Sequence, residues 1–294
     1  MHDITVVKCG GNAAVDPLAI CSDVAGMVGR GERVVLVHGG SADIDALAGR
    51  LGVPMRRLVS PDGVSARHTD EATLEVVHLA LAGLAKPRLV GALVSAGIPA
   101  VGLTGLDGGL LRARRKGAHR AVVDGRRVLV RDDHSGRVTS VNTGLLDTLL
   151  SAGSVPVVSP PAVAEDGRPV NADADRAAAA VAGAMGARTL VLLTGAPGVL
   201  ADPADEDSVL PVCAVPRHGP PPFTGGGMGL KLIAAREALL GGARRVLIAD
   251  GRRPDPVRAA LAGHATEVTL LPDDADGPAA SEGAADRSVT EVNG

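Results

Sequence analysis

At 294 residues, 46% hydrophobic and 21% charged, the chain is long enough for one large α/β domain or two lobes sharing a continuous sheet. Trp and Tyr are absent and Phe223 is the lone aromatic residue, so the core rests on Leu, Val, Ile and Ala, and base-stacking recognition of nucleic acid is excluded. The net charge of −3 argues against a general polyanion binder, and Cys9, Cys21 and Cys213 are too few and too scattered for a disulfide framework or a zinc site.

The first predicted element is an apolar, β-branched strand over 4–7 that ends in Lys8, Cys9, Gly10 and Gly11. A helix over 17–29 leads to a second strand over 33–37, which runs into His38, Gly39 and Gly40 and then a helix over 41–51. Strand, glycine turn and helix in that order leave bare backbone N–H groups at a helix N-terminus, where an anion is favoured. Two such turns on neighbouring strands suit one phosphoryl group held between them, and Gly10, Gly11 and Gly40 are the expected phosphate contacts. A long apolar helix over 71–96 follows, kinked or split at Lys86-Pro87. After a strand over 98–102, residues 110–138 read as a polar hairpin in which 121–123 and 128–130 flank Asp124-Gly125, a turn signal. Across 112–127 seven basic residues, Arg112, Arg114, Arg115, Lys116, Arg120, Arg126 and Arg127, are opposed by Asp124 alone. That is either a charged, non-sticky edge or a docking surface for an acidic partner.

A helix over 142–152 and a strand over 155–158 precede Asn171-Ala172-Asp173-Ala174-Asp175, which leads into an Ala-rich helix over 174–185. At period two, the amide and the two carboxylates share one face of an extended segment and can point at one small polar ligand. A strand over 189–193 comes before a third glycine loop, 223–229, which feeds a helix over 229–240 with Lys231 in its first turns; a strand over 245–248 follows. Neither G-x-x-x-x-G-K-S/T nor G-x-G-x-x-G occurs, so a phosphate-handling enzyme of another class is indicated. The alternation predicts an α/β protein, a three-layer αβα sandwich around a mostly parallel sheet, with lobes at 1–168 and 169–272. Residues 273–294, where six acidic residues face Arg287 alone, are expected to be a disordered acidic tail. No apolar run is seen that would reach a membrane span and no leader follows Met1, so a soluble, cytoplasmic protein is expected.

Four motifs carry a resemblance: K-x-G-G at Lys8–Gly11, H-G-G at His38–Gly40, N-x-D-x-D at Asn171–Asp175, and G-G-M-x-x-K ending at Lys231. In order and spacing over residues 1–272 they resemble the amino acid kinase family and its acetylglutamate kinase branch. Within that branch, Gly63–Asp70, Gly102–Gly108 and Arg114–Lys116 are similar to kinases of lysine and arginine biosynthesis whose acceptor is carrier-linked. Those enzymes act on aminoadipate or glutamate attached through its α-amino group to the C-terminal glutamate of a small acidic amino-group carrier protein. Ser41, where acetylglutamate kinases usually carry a third glycine, and Asp173, where they usually carry Asn, point the same way.

The resemblance implies a carbamate kinase-like fold, a homodimer paired through the 71–96 helix, and ATP-dependent phosphorylation of a side-chain carboxylate, with free N-acetylglutamate as the alternative acceptor. Mg²⁺ would travel on the β- and γ-phosphates rather than in a protein cage, and no metal ligands are expected. A carboxylate is already an anionic nucleophile, so catalysis needs charge cancellation rather than a base. Lys8 and Lys231 would flank the transferring group, organised by Asp175, while Gly11 and Gly40 cradle its oxygens. Gly39, Gly40, Arg67 and Asn171 are the implied substrate contacts, and Thr194, Gly198, Leu200, Gly227 and Met228 the nucleotide contacts, with Gly195 where many members carry Asp. Asp173 either shapes the substrate end or caps the following helix. The acidic carrier would dock on Arg112, Arg114, Arg115, Lys116 and Arg120. Arginine-inhibited relatives have an extra helix ahead of the first strand, so arginine feedback is not expected here.

Overall fold

The computed structural model describes residues 3–59, 65–123, 126–223 and 227–272, without the side chains of Ser65, 120–123, Arg126 and Arg127. The expected acidic tail, the Asp124-Gly125 turn, residues 224–226 of the third glycine loop and the side chain of Arg120 lie outside the described part.

The chain opens with β1 (Ile4–Cys9), α1 (Pro17–Gly29), β2 (Arg33–His38) and α2 (Ser41–Leu51), then two short strands, β3 (Arg57–Val59) and β4 (Ser65–Arg67). Helix α3 (Glu71–Ala80) continues through a π-turn, Leu81–Ala85, into α4 (Lys86–Ser95), followed by β5 (Ala100–Thr104). Strands β6 (Leu111–Arg115), β7 (His119–Val123), β8 (Arg126–Val130) and β9 (Ser135–Val141) come before α5 (Thr143–Ser151) and β10 (Val155–Ser159). Strands β11 (Ala162–Val163) and β12 (Pro169–Ala172) lead to α6 (Ala174–Ala184), β13 (Thr189–Thr194) and β14 (Val212–Val215). The last elements are α7 (Met228–Leu240), β15 (Val246–Asp250), α8 (Pro256–Leu261) and β16 (Thr266–Leu270).

Eight strands form the central sheet in the order β14-β16-β15-β13-β1-β2-β10-β5, and every pair is parallel except β15 with β16. All six residues of β1 and the last five of β2 are buried, as expected for parallel strands covered on both faces. One face packs Ala177, Ala178 and Val181 of α6 and Leu232 and Ala235 of α7 onto Val6, Val35 and Leu190. The other packs Ile20, Val24 and Met27 of α1, Leu89 and Leu93 of α4 and Val257 of α8 onto Val7, Leu36 and Val191. The three layers agree with the expected sandwich, and Cys9, Cys21 and Cys213 are all buried in it.

Three expectations need correction. The 110–138 stretch is not one hairpin: its outer parts, β6 and β9, pair antiparallel and close a four-strand ring with β11 and β12, while β7 and β8 join β3 and β4 in a small sheet. The reason is alternation: Leu111 and Ala113 point into the core at 0% and 2% exposure while Arg112 and Arg114 face out, so the basic residues masked a core strand. The 71–96 helix does not break at Lys86-Pro87. The Lys86 N–H reaches Leu81 O, five residues back, and the widened turn accommodates the proline. By length and composition Glu71–Ser95 is apolar enough to cross a membrane, mean hydropathy 1.4, contrary to the expectation of no such run. In the fold 44% of its most apolar 18-residue stretch is buried, and along the helix Leu89 and Leu93 lie in the core while Leu79, Leu84 and Val94 are exposed.

Candidate active site

The C-terminal ends of β1 and β2 bring the first two glycine turns into contact. A Cβ on Gly11 would stand 2.5 Å from Gly40 N and 2.6 Å from Ser41 N, so the turns can meet only because Gly11 has no side chain. Gly11 O accepts from Ser41 Oγ at 2.7 Å and from Ala42 N at 3.0 Å, locking the turn to the start of α2. Among the described residues no side chain caps α2 at Gly40; Ala42 N is taken by Gly11 O, and the Gly40 and Ser41 N–H groups ahead of it are the ones offered to an outside anion. Beneath the turn, His38 Nδ1 lies 2.9 Å from Gly39 O, and burial lowers the imidazole to about 4, so it is neutral.

Lys8, Asp175 and Lys231 meet at this point. Lys8 Nζ is 2.7 Å from Asp175 Oδ1, an ion pair without a well-directed hydrogen bond, while Lys231 Nζ donates to Oδ2 at 2.7 Å. The three side chains are at most 12% exposed. Burial works to raise the Asp175 carboxyl, but the two ammoniums overcome it and hold the group well below the usual carboxylate range. Burial also works against charge on both lysines. At Lys8 the Asp175 carboxylate prevails and the pKa stands above its ordinary value, whereas Lys231, with Lys8 nearby, stands below its own.

Asn171, Asp173 and Asp175 do not share one extended face as expected. The strand ends at Ala172, Asp173 caps α6 by accepting from Arg176 N at 3.0 Å, and Asp175 lies in the first helical turn. All three still line one cavity, because the strand-to-helix corner turns around it. Burial and the neighbouring Asp175 push the Asp173 carboxyl above its ordinary value, and the residue both caps the helix and lines the cavity. Arg176 grips Glu237 of α7 through Nε and Nη2 at 2.9 and 2.6 Å, which ties the helix carrying Asp175 to the helix carrying Lys231.

The cavity measures about 1050 Å³. Besides the lysines and Asp175 it takes in Gly10, Gly11, Gly39 and Gly40 on one wall. Arg67 and Asn171 line it, as do Thr194, Gly198, Leu200, Gly227 and Met228, so every residue expected at the site reaches one space. Arg67 is engaged: Nη1 donates to Asp45 Oδ1 and approaches Met55 Sδ, each at 2.8 Å. Asn171 Nδ2 donates to Thr69 Oγ1 at 3.2 Å. Of the basic run, Lys116 lines the cavity while Arg112, Arg114 and Arg115 lie outside it; Arg114 pairs with Glu165 at 3.3 Å and Arg115 Nε donates to Asp133 O. Sequence reading missed Asn12, Ser41, Arg57 and Ser135 on the cavity wall. Asn12 and Ser41 directly follow the glycine pairs, a signal that was available; Arg57 and Ser135 belong to short strands with no local motif. Among the described residues no three His, Cys, Asp or Glu side chains gather as metal ligands, and both Asp175 oxygens are taken by lysines, so these residues do not form a metal cage.

A carboxylate holding two ammoniums at the foot of a double glycine cradle is machinery for moving a phosphoryl group, and the protein is a phosphotransferase. Residues 3–250 match the model of the amino acid kinase family, and the chain belongs to that family. It is 41% identical over 268 residues to a LysW-aminoadipate kinase of Deinococcus radiodurans, covering 91% of this chain and 92% of that one. It is 40% identical over 251 residues to an acetylglutamate kinase of Methanopyrus kandleri, covering 83% and 94%. Among solved structures, carbamate kinase of Giardia shares the fold at a TM-score of 0.62 and 16% identity, over 92% of this chain and 99% of that one.

Proposed function

We propose that this protein uses ATP to phosphorylate the side-chain carboxylate of aminoadipate or glutamate carried on an acidic amino-group carrier protein, giving an acyl phosphate. The observation that carries the reading is the Lys8–Asp175–Lys231 cluster beside the Gly11–Gly40 contact; the acceptor is supported by the 41% identity to the LysW-aminoadipate kinase.

The acceptor carboxylate attacks the γ-phosphorus, an acyl O–P bond forms, and the bond to the ADP oxygen breaks. Lys8 neutralises the transferring group from the acceptor side and Lys231 from the nucleotide side, while backbone N–H groups of Gly11 and Gly40 bind its equatorial oxygens. Asp175 holds both ammoniums in place and moves no proton. Mg²⁺ would arrive with ATP, held by its phosphates and water, and would offset phosphate charge; no step here is routed through it. Arg67 has five N–H donors and, among the described residues, bonds Asp45 and Met55 through Nη1, an arrangement in which its fork can also take the acceptor's α-carboxylate beside Asn171. Gly39 and Gly40 complete the acceptor side, and Thr194, Gly198, Leu200, Gly227 and Met228 hold the nucleotide. This divides the work between 1–168 and 169–272. We place the enzyme in the cytoplasm as a homodimer paired through the exposed Leu79 of α3, Leu84 of the π-turn and Val94 of α4.

The carrier docks on the outward, basic face of β6. Arg112 and Arg114 point outward there without entering the cavity, so Arg112→Glu/Arg114→Glu tests docking alone. The variant is expected to raise KM for the carrier-linked acceptor at least tenfold at low salt, with ATP KM unchanged. The effect should shrink above physiological salt, where the Debye length falls below about 8 Å. Efficient turnover of free N-acetylglutamate, unchanged in the variant, would establish the second reading, which the 40% identity to an acetylglutamate kinase favours.

A further inference from the structure

The small sheet that carries the basic hairpin joins the body of the protein around Asp133, which is 3% exposed. Its Oδ1 accepts from Thr69 N at 3.4 Å and Ser135 N at 3.1 Å, and Oδ2 accepts from Ser135 Oγ at 2.7 Å. His119 Nε2 lies 3.5 Å from Oδ2, and the Asp133 carbonyl accepts from Arg115 Nε at 3.1 Å. One residue therefore holds the exit of β4, the start of β9 and both sides of the β6–β7 connection.

Thr69 passes this anchorage on to the cavity. Its carbonyl accepts from His134 N at 2.6 Å, and its Oγ1 accepts from Asn171 Nδ2 at 3.2 Å. Asn171 N donates to His134 O at 2.8 Å, Lys116 N donates to Ser135 O at 2.8 Å, and Arg67 lies two residues before Thr69. Arg67, Lys116, Ser135 and Asn171 all line the cavity. Asp133 reaches Ser135 directly, Lys116 through Ser135, and Asn171 and the Arg67 backbone through Thr69, whose Oγ1 lies 3.5 Å from Arg67 O. Lys8, Asp175 and Lys231 share none of these bonds.

We propose that Asp133 is the positioning residue of the acceptor half of the site: it sets where Arg67 and Asn171 stand relative to the phosphoryl cradle and ties the hairpin to them. It touches no reacting atom. The inference rests on the reading of Arg67 and Asn171 as acceptor contacts. Removing the carboxylate leaves Thr69 N, Ser135 N and Ser135 Oγ without their acceptor, so the Arg67–Thr69 segment loosens while the lysine cluster keeps its geometry. An amide at the same position keeps an oxygen for the two N–H groups and turns its NH₂ to Ser135 Oγ, which can accept.

The test compares Asp133→Ala, Asp133→Asn and Arg67→Ala on carrier-linked aminoadipate, with kcat and both KM values measured for each. Asp133→Ala is expected to raise acceptor KM tenfold or more with ATP KM within twofold of wild type, and Asp133→Asn to return acceptor KM to within threefold. Equal increases in both KM values, or no rescue by Asn, would mean general loosening and overturn the proposal. Arg67→Ala separates the two readings. An unchanged acceptor KM there overturns the role of Arg67, whereas a raised one beside an unchanged Asp133→Ala overturns the role of Asp133. If Asp133→Ala does not fold, Thr69→Val cuts the link to Asn171 at nearly constant volume; a rise in acceptor KM alone supports the proposal, and no rise overturns it.

Discussion

Replacing Asp175 by Asn tests the core of the mechanism, because the change keeps volume and removes a charge that two lysines share. Each ammonium sits 2.7 Å from one carboxylate oxygen, and all three side chains are nearly closed to solvent. Without the negative charge the ammoniums, no more than about 8 Å apart in this arrangement, repel by roughly 2 kcal/mol at an effective dielectric of about 20. Removing one partner of a buried ion pair typically costs about 3–5 kcal/mol. The amide oxygen can serve one lysine, but its NH₂ then faces the other. A loss of about 3 kcal/mol, or roughly 6–12 °C in Tm for a chain of this size, is therefore expected. The rate should fall about 10²–10³-fold, the usual cost of one misplaced charge-stabilising donor. The pH dependence has a definite sign. The folded Asp175 pKa lies below its unfolded value of about 3.9, so its contribution is fully present above that value and fades as pH falls through the folded pKa. The Tm gap between wild type and variant should thus be flat from about pH 5 to 8 and close under strong acid. Hydroxamate trapping of the acyl phosphate gives the rate and thermal denaturation the stability. A variant with turnover within threefold of wild type and an unchanged Tm would refute the argument.

The two cradle glycines should respond unequally. Alanine at Gly11 drives a Cβ into backbone nitrogens at 2.5 and 2.6 Å and should abolish ATP-dependent turnover, whereas alanine at Gly40 meets the flexible end of Leu81 at 2.7 Å and should retain measurable activity; steady-state kinetics of both variants check the order. Lys86 is 6% exposed, and burial lowers it to about 8 against an opposing pull from Asp107. Its folded pKa lies below the unfolded value of about 10.4, so its protonation favours the unfolded chain. Lys86→Met should therefore raise Tm at pH 7, with the gain shrinking as pH climbs from about 8 toward 10; a gain independent of pH would contradict the assignment.

The residues of the cradle and the lysine cluster were legible because each stands at the end of a buried strand or the start of a helix, where composition changes abruptly within four or five positions. Helices 17–29 and 41–51 were read to the residue for the same reason, since Asp16-Pro17 and Gly52 mark their ends. Strands of two to four residues, such as β3, β4, β11 and β12, are too short for any period to register. In β6 the arginines drew attention to the outward positions while Leu111 and Ala113 did the folding. The Asp133 network joins positions 69, 119, 133 and 171 across separate elements, and nothing local in the chain announces that they meet. The Asp45 contact to Arg67 is hidden in the same way, 22 positions upstream.

The Gly11–Gly40 contact divides the protein into a part that selection can retune and a part that it cannot. Where two main chains touch and the ligand is held by their amides, no side chain exists to be exchanged, and at Gly11 even one added methyl collides with backbone. A change of acceptor must therefore be written in side chains around the cradle, at positions such as Ser41, Arg67, Lys116 and Ser135, while Gly11 stays constant. A mutant library aimed at new acyl acceptors gains nothing from the cradle and should spend all its diversity on that outer frame.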